Sequence, residues 1–164
     1  MTRIALGVGL VAPLLLCLLT ACSPTVPLTP AADATNPKCA EIIVRLPSAV
    51  ADQPARQTNA QATGAWGNPT SVLLRCGVPQ PGPSASCSTV NGVDWVVDFS
   101  APPRLIYTTY GRNPATQVVV DSALTKGQGA IILDDLGNAV GSTKQTKQCT
   151  THDPGFLPPK PPNN

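Results

Sequence analysis

Hydrophobic and polar positions follow three regimes along the chain. From Ile4 to Leu19 nearly every residue is apolar, interrupted by Gly7, Gly9 and Pro13, with Arg3 before the run and Thr20-Ala21 after it. A short apolar run behind a basic residue and ahead of small residues has the layout of a secretory signal. It is also shorter than the ~20 residues a spanning helix needs. From Ser23 to Pro37 (SPTVPLTPAADATNP) no period of 2 or 3.6 appears and prolines recur. Such a segment reads as an extended tether, and at ~3 Å per residue it would lift a domain roughly 40 Å. The end of the chain, His152 to Asn164, is again proline-rich and reads as a frayed tail.

Between these ends the periods become regular. Asn36-Pro37 ahead of Cys39, Ile42, Ile43 and Leu46 supplies an N-cap, a proline in the first turn and an apolar stripe, which predicts a short helix stopped by Pro47. Arg56–Trp66 alternates, Thr70–Cys76 is apolar, and Gly67-Asn68-Pro69 between them marks a turn. Asn91-Gly92 between β-forming arms predicts a tight hairpin running on through Trp95 to Phe99. Leu105–Tyr110 and Thr116–Asp121 predict a further hairpin around Gly111-Arg112-Asn113-Pro114. Ile132, Leu133, Leu136, Ala139 and Val140 recur at helical spacing up to Gly141. The fold class expected is α+β: an antiparallel sheet of about five or six strands with an N-terminal and a C-terminal helix on one face. The expected division is a leader over 1–21, a tether over 22–37, the domain over 38–150 and a disordered tail over 151–164.

The tetrapeptide Leu19-Thr20-Ala21-Cys22 changes the reading of the leader, because it resembles the bacterial lipoprotein signal. That resemblance implies cleavage before Cys22, acylation of its thiol and attachment to the outer face of the cytoplasmic membrane, where two or more acyl chains hold firmly. Of the six cysteines, Cys17 then leaves with the leader, and Cys39, Cys76, Cys87 and Cys149 remain in an oxidising compartment. Two disulfides are expected. Three pairings exist, and the short proline-rich excursion between Cys76 and Cys87 favours Cys76–Cys87 with Cys39–Cys149.

Composition narrows the chemistry. The net charge is +2, without a Lys/Arg cluster, which argues against a nucleic-acid partner. No CxxC pair is present and the single histidine, His152, lies in the tail, so neither a zinc site nor thiol redox chemistry is expected. No cofactor is implied. No serine sits in a GxSxG setting, and Gly127-Gln128-Gly129 lacks the third glycine of a dinucleotide fingerprint. Asp94 and Asp98 on one strand would stand about 13 Å apart, too far for a glycosidase pair, and read as solvent-facing, with Trp95, Val97 and Phe99 turned inward. Asp134 and Asp135 read as helix surface. Arg75, inside an apolar strand, reads either as an ion-paired structural residue or as an anion-recognising one. Trp66, Trp95, Tyr107 and Tyr110 are the aromatic candidates for a ligand contact beside it.

The segments CAEIIVRLP, TGAWGNPTSVLLRCGVP, GVDWVVD and TTYGRNP, together with LTAC, resemble an actinobacterial family of small lipoproteins classed as a domain of unknown function. The resemblance covers the chain from Cys39 to Cys149 and implies an exported, lipid-anchored protein with cysteines at those positions, without an activity, catalytic residue or cofactor. The expected function is therefore a non-catalytic cell-envelope module that binds another envelope protein or a cell-wall component. Two other classes stand beside it. One is an enzyme on cell-wall material that draws Asp94 and Asp121 together, and the other is a small solute-binding lipoprotein with a pocket around Arg75.

Overall fold

The computed structural model describes residues 23–150. The leader, Cys22 and the tail beyond Thr150 lie outside the described residues. Helix α1 spans Pro37–Ile43; Asn36 caps it, its side chain accepting from the Lys38 N–H, and Cys39 and Ile42 are its buried positions. The strands are β1 (Ala49–Val50), β2 (Gln53–Arg56), β3 (Thr63–Trp66), β4 (Val72–Val78), β5 (Cys87–Val90), β6 (Val93–Ala101), β7 (Arg104–Thr109) and β8 (Ala115–Asp121), followed by helix α2 (Gly129–Val140).

All eight strands join one antiparallel sheet in the order β1-β2-β3-β4-β8-β7-β6-β5. The fold is thus mostly β, with two short helices, and the expectation of an α+β domain with five or six strands is corrected. Arg56–Trp66 does not run as one strand. The chain turns between Arg56 and Thr63, with Ala62 at φ 56°, so the segment divides into the end of β2 and the whole of β3. Pro54 lies in β2, near the sheet's end, where a missing N–H is tolerated. At the Asn91-Gly92 turn both residues adopt positive φ, 46° and 71°, as a tight hairpin of this kind requires.

After β4 the chain crosses to the far edge, enters β5, and meanders back until β8 pairs with β4. That crossover overturns the favoured disulfide pairing. Cys76 on β4 and Cys87 on β5 are separated by four inter-strand steps, about 19 Å at ~4.8 Å each. A disulfide needs α-carbons within about 7 Å. The bridges formed are Cys39–Cys76, with α-carbons 5.6 Å apart, and Cys87–Cys149, at 5.7 Å. The first fixes α1 to the middle of the sheet, and the second fixes the edge strand to the C-terminal segment.

The core lies between the helices and one sheet face. Cross-strand rows Trp66–Val72–Val120–Leu105 and Gly64–Leu74–Val118–Tyr107–Val97 meet Ile42, Ile132, Leu133 and Leu136 there. Residues 23–36, expected as a free tether, instead lie along the domain. Arg56 Nη2 donates to the Pro24 carbonyl at 2.8 Å, Val26 N to Gln57 O at 2.8 Å, Leu28 N to Asn59 Oδ1 at 2.8 Å, and Asp33 N to Gly77 O at 3.1 Å. Gly77 makes the last approach possible. Its φ is 95°, and a Cβ there would stand 2.4 Å from the Asp33 carbonyl carbon.

Candidate functional site

The five ligand-contact candidates do not meet. Trp66 and Trp95 are core residues, 1% and 0% exposed, under the helices; Trp66 Nε1 donates to Pro47 O at 3.1 Å. Arg75 points to the opposite sheet face, and its Nη2 donates to Gln117 Oε1, an amide oxygen rather than a carboxylate. Tyr110 follows β7, and its N–H donates to Asp94 O at 2.8 Å. Only Tyr107 lines a cleft on the helix side.

That cleft is built where α2 begins. After β8, the Asp121 carboxylate accepts from Ala123 N and Leu124 N at 3.0 and 3.1 Å, and Thr125 Oγ1 returns to Asp121 O at 2.8 Å. This compact turn delivers the first turn of α2 across the ends of β5, β6 and β7. Gly129 lets the helix come close, since a Cβ there would stand 2.7 Å from the Tyr107 hydroxyl. The result is a cleft of about 420 Å³ whose walls are mainly aliphatic and aromatic, with Val97, Phe99, Leu105, Val120 and Leu133 among them. Thr89, Ser122 and Thr125 also line it. Burial pushes the Tyr107 phenol above its ordinary pKa, so at neutral pH it is an uncharged hydroxyl. A cavity of this size, apolar with a few polar groups, suits a small ligand or an apolar side group.

The carboxylates serve the framework. Asp94, expected in solvent, is 4% exposed. Its carboxylate accepts from Thr89 Oγ1, from Gln145 Nε2 at 2.8 Å and from Cys149 N at 2.7 Å, which ties the C-terminal segment to β6. Arg112, 5% exposed, donates to the carbonyls of Gly141, Thr143 and Gly92 and to Gln145 Oε1. Burial lowers its pKa, and the nearby Asp94 charge opposes that shift. Asp121, the imagined partner of Asp94 in catalysis, is engaged by its own turn. Asp135 accepts from Ala51 N at 2.7 Å, holding α2 to the first hairpin. Asp98 is the one acid of β6 that stays in solvent, held below the usual carboxylate range by hydrogen bonding to Ser100. Among the described residues, no three His, Cys, Asp or Glu side chains form a metal-binding group, and no helix is long and apolar enough to cross a membrane.

The second concave surface is on the uncovered face, where the rows Ala65–Leu73–Val119–Ile106–Asp98 and Thr63–Arg75–Gln117–Thr108–Val96 run side by side. Val26, Pro27 and Leu28 wall this groove on one side, and Arg75 and Arg104 stand within it. The groove holds Arg75, around which a pocket was expected, but none of the four aromatic candidates lines it, and the α2 cleft has no counterpart among the expectations. The alternation of β6 assigns Phe99 to the inward face, but its 43% exposure at the cleft mouth depends on where α2 starts.

A single disulfide-stapled sheet, covered by helices on one face and grooved on the other, defines an architecture before it defines a function. The chain belongs to the family described as protein of unknown function (DUF3515), whose model matches residues 5–149. No curated protein and no solved structure matches it.

Proposed function

We propose that this chain is a non-catalytic binding module held outside the cytoplasmic membrane by acyl groups on Cys22, and that it grips an apolar group of another envelope component in the α2 cleft. The observation that carries the reading is the cleft itself: about 420 Å³ of mainly aliphatic and aromatic wall, with one protonated phenol inside. A phenol whose pKa is raised by burial orients a ligand through a hydrogen bond and is a poor base or nucleophile at neutral pH. The lipoprotein-like LTAC tetrapeptide and the two disulfides support the compartment.

The test is photo-crosslinking in cells from a reactive residue at Leu105, inside the cleft, against one at Ile131 on the exposed side of α2. Adducts at Leu105 that disappear when Ala130→Trp fills the cleft are the expected result. Equal yields at the two positions, or a Leu105 yield that ignores Ala130→Trp, would refute the reading.

A further inference from the structure

From the N-terminal strap, residues 23–36 laid along the domain, and from the groove we infer that the uncovered sheet face is a membrane-facing surface, which seats on anionic phospholipid headgroups beside the protein's own lipid anchor. The inference rests on the reading of Cys22 as the acylated residue. A chain spans at most about 3.6 Å per residue, so the α-carbon of Cys22 can stand no more than about 7 Å from that of Pro24. The Pro24 carbonyl is itself held by Arg56 Nη2 at 2.8 Å, on the sheet. Two residues of slack cannot raise a domain. The roughly 40 Å that a free proline-rich tether would give is removed by the hydrogen bonds at Pro24, Val26, Leu28 and Asp33.

Which surface then meets the bilayer follows from where the strap runs. Val26, Pro27 and Leu28, four to six residues from the anchor, form one wall of the groove. Its floor carries the half-buried apolar side chains Leu73, Ile106 and Val119. The cations at its border are Arg75, whose partner is a neutral amide, and the exposed Arg104. The acids on this face are Asp121, whose carboxylate is turned into the backbone of its own turn, and Asp98, which lies outside the groove at the end of the Ile106 row and accepts from Ser100 N. An apolar floor flanked by arginines, within a few residues of an acyl anchor, matches the headgroup zone, where apolar groups enter the interface and guanidinium groups reach phosphate. On this placement the α2 cleft opens on the other side of the sheet, away from the lipid.

The experiment uses the chain from Cys22 to Asn164, coupled through the Cys22 thiol to a maleimide lipid in vesicles with or without phosphatidylglycerol. A photo-reactive residue is placed either at Ile106 in the groove or at Ile131 on the exposed side of α2. Lipid adducts at Ile106 should exceed those at Ile131 at least tenfold on anionic vesicles. They should fall severalfold on neutral vesicles and with Arg75→Gln/Arg104→Gln. Equal adduct yields at the two positions, or an Ile106 yield indifferent to lipid charge and to both arginines, would overturn the inference. Coupling in vitro makes this result independent of cellular acylation. Failure of the anchoring reading is seen separately, as a native Cys22 peptide without added lipid mass.

Discussion

Removing the bridges one at a time tests the disulfide topology on which both faces depend. Cys39→Ala/Cys76→Ala opens a loop with a sequence separation of 37, and Cys87→Ala/Cys149→Ala one of 62. Loop-closure entropy grows only with the logarithm of length, so each bridge contributes about 4 kcal/mol, and the longer exceeds the shorter by only ~0.5 kcal/mol. Burial reverses that order. Cys39 and Cys76 are both 0% exposed in the core, whereas Cys87 and Cys149 are half-buried at the edge. Deleting two enclosed sulfurs leaves a void worth about 1–2 kcal/mol more. The Cys39/Cys76 variant is therefore expected to lose about 5–6 kcal/mol and the Cys87/Cys149 variant about 4, against a net stability of roughly 5–15 kcal/mol for a domain of this kind. In urea, with a slope of about 1–3 kcal/mol/M, the midpoint should fall by more than ~1.3 M in either case, and further for Cys39/Cys76. Peptide mapping without reductant, after cleavage on both sides of Cys87, should join Cys39 to Cys76 and Cys87 to Cys149. A fragment joining Cys76 to Cys87, or a Cys39/Cys76 variant as stable as its parent, would refute the reasoning.

Two further outcomes follow from the buried polar groups. Arg112→Met should cost about 3–5 kcal/mol, because it strands the carbonyls of Gly92, Gly141 and Thr143 and leaves the buried Asp94 charge without its cation; thermal unfolding within a few degrees of the parent would contradict that account. Burial raises the folded pKa of Tyr107 above the ordinary phenol value of 10.0, so below pH 10 both folded and unfolded states keep the proton, and above it the unfolded chain ionises first. Stability should thus decline as pH rises past 10, and Tyr107→Phe should make that decline shallower in alkaline urea titrations; identical profiles would remove the burial argument.

The cleft and the groove divide unevenly between what was legible in the residues and what was not. Tyr107 and Arg75 stand out in the sequence as an aromatic and a charge within β-forming runs, and each lines a concavity. Their separation onto opposite faces depends on register: Tyr107 shares a row with Leu74 and Val118, and Arg75 with Gln117 and Thr108. Trp66 and Trp95 count among the candidates for a ligand contact, although the alternation of β6 already turns Trp95 inward, and the helices cover both. Asp94 illustrates the same limit, because a strand acid followed by an apolar residue reads as solvent-facing. Here the segment around Gln145 and Cys149 folds back over it from more than fifty residues away.

Local chemistry in the sequence by itself determined the elements whose causes lie within a few neighbouring residues. The Asn36 cap with Pro37 starts α1, the Asn91-Gly92 turn needs positive φ at both positions, and the β-branched runs around Gly111–Pro114 pair as a hairpin. It also determined that the four cysteines between Cys39 and Cys149 would be oxidised in pairs. Tertiary structure alone decided how many strands there are, which cysteines meet and where the N-terminal segment goes. A strand order that sends β5 to the far edge fixes distances of about 19 Å between residues eleven apart in the chain. The strap has neither the strand period of 2 nor the helical 3.6, and its prolines at every third position from Pro24 to Pro30 suit extended chain, so nothing local distinguishes it from a free tether. It is held by Arg56, Gln57, Asn59 and Gly77, donors and acceptors about thirty to forty-five residues distant, and only a folded sheet can bring those to it.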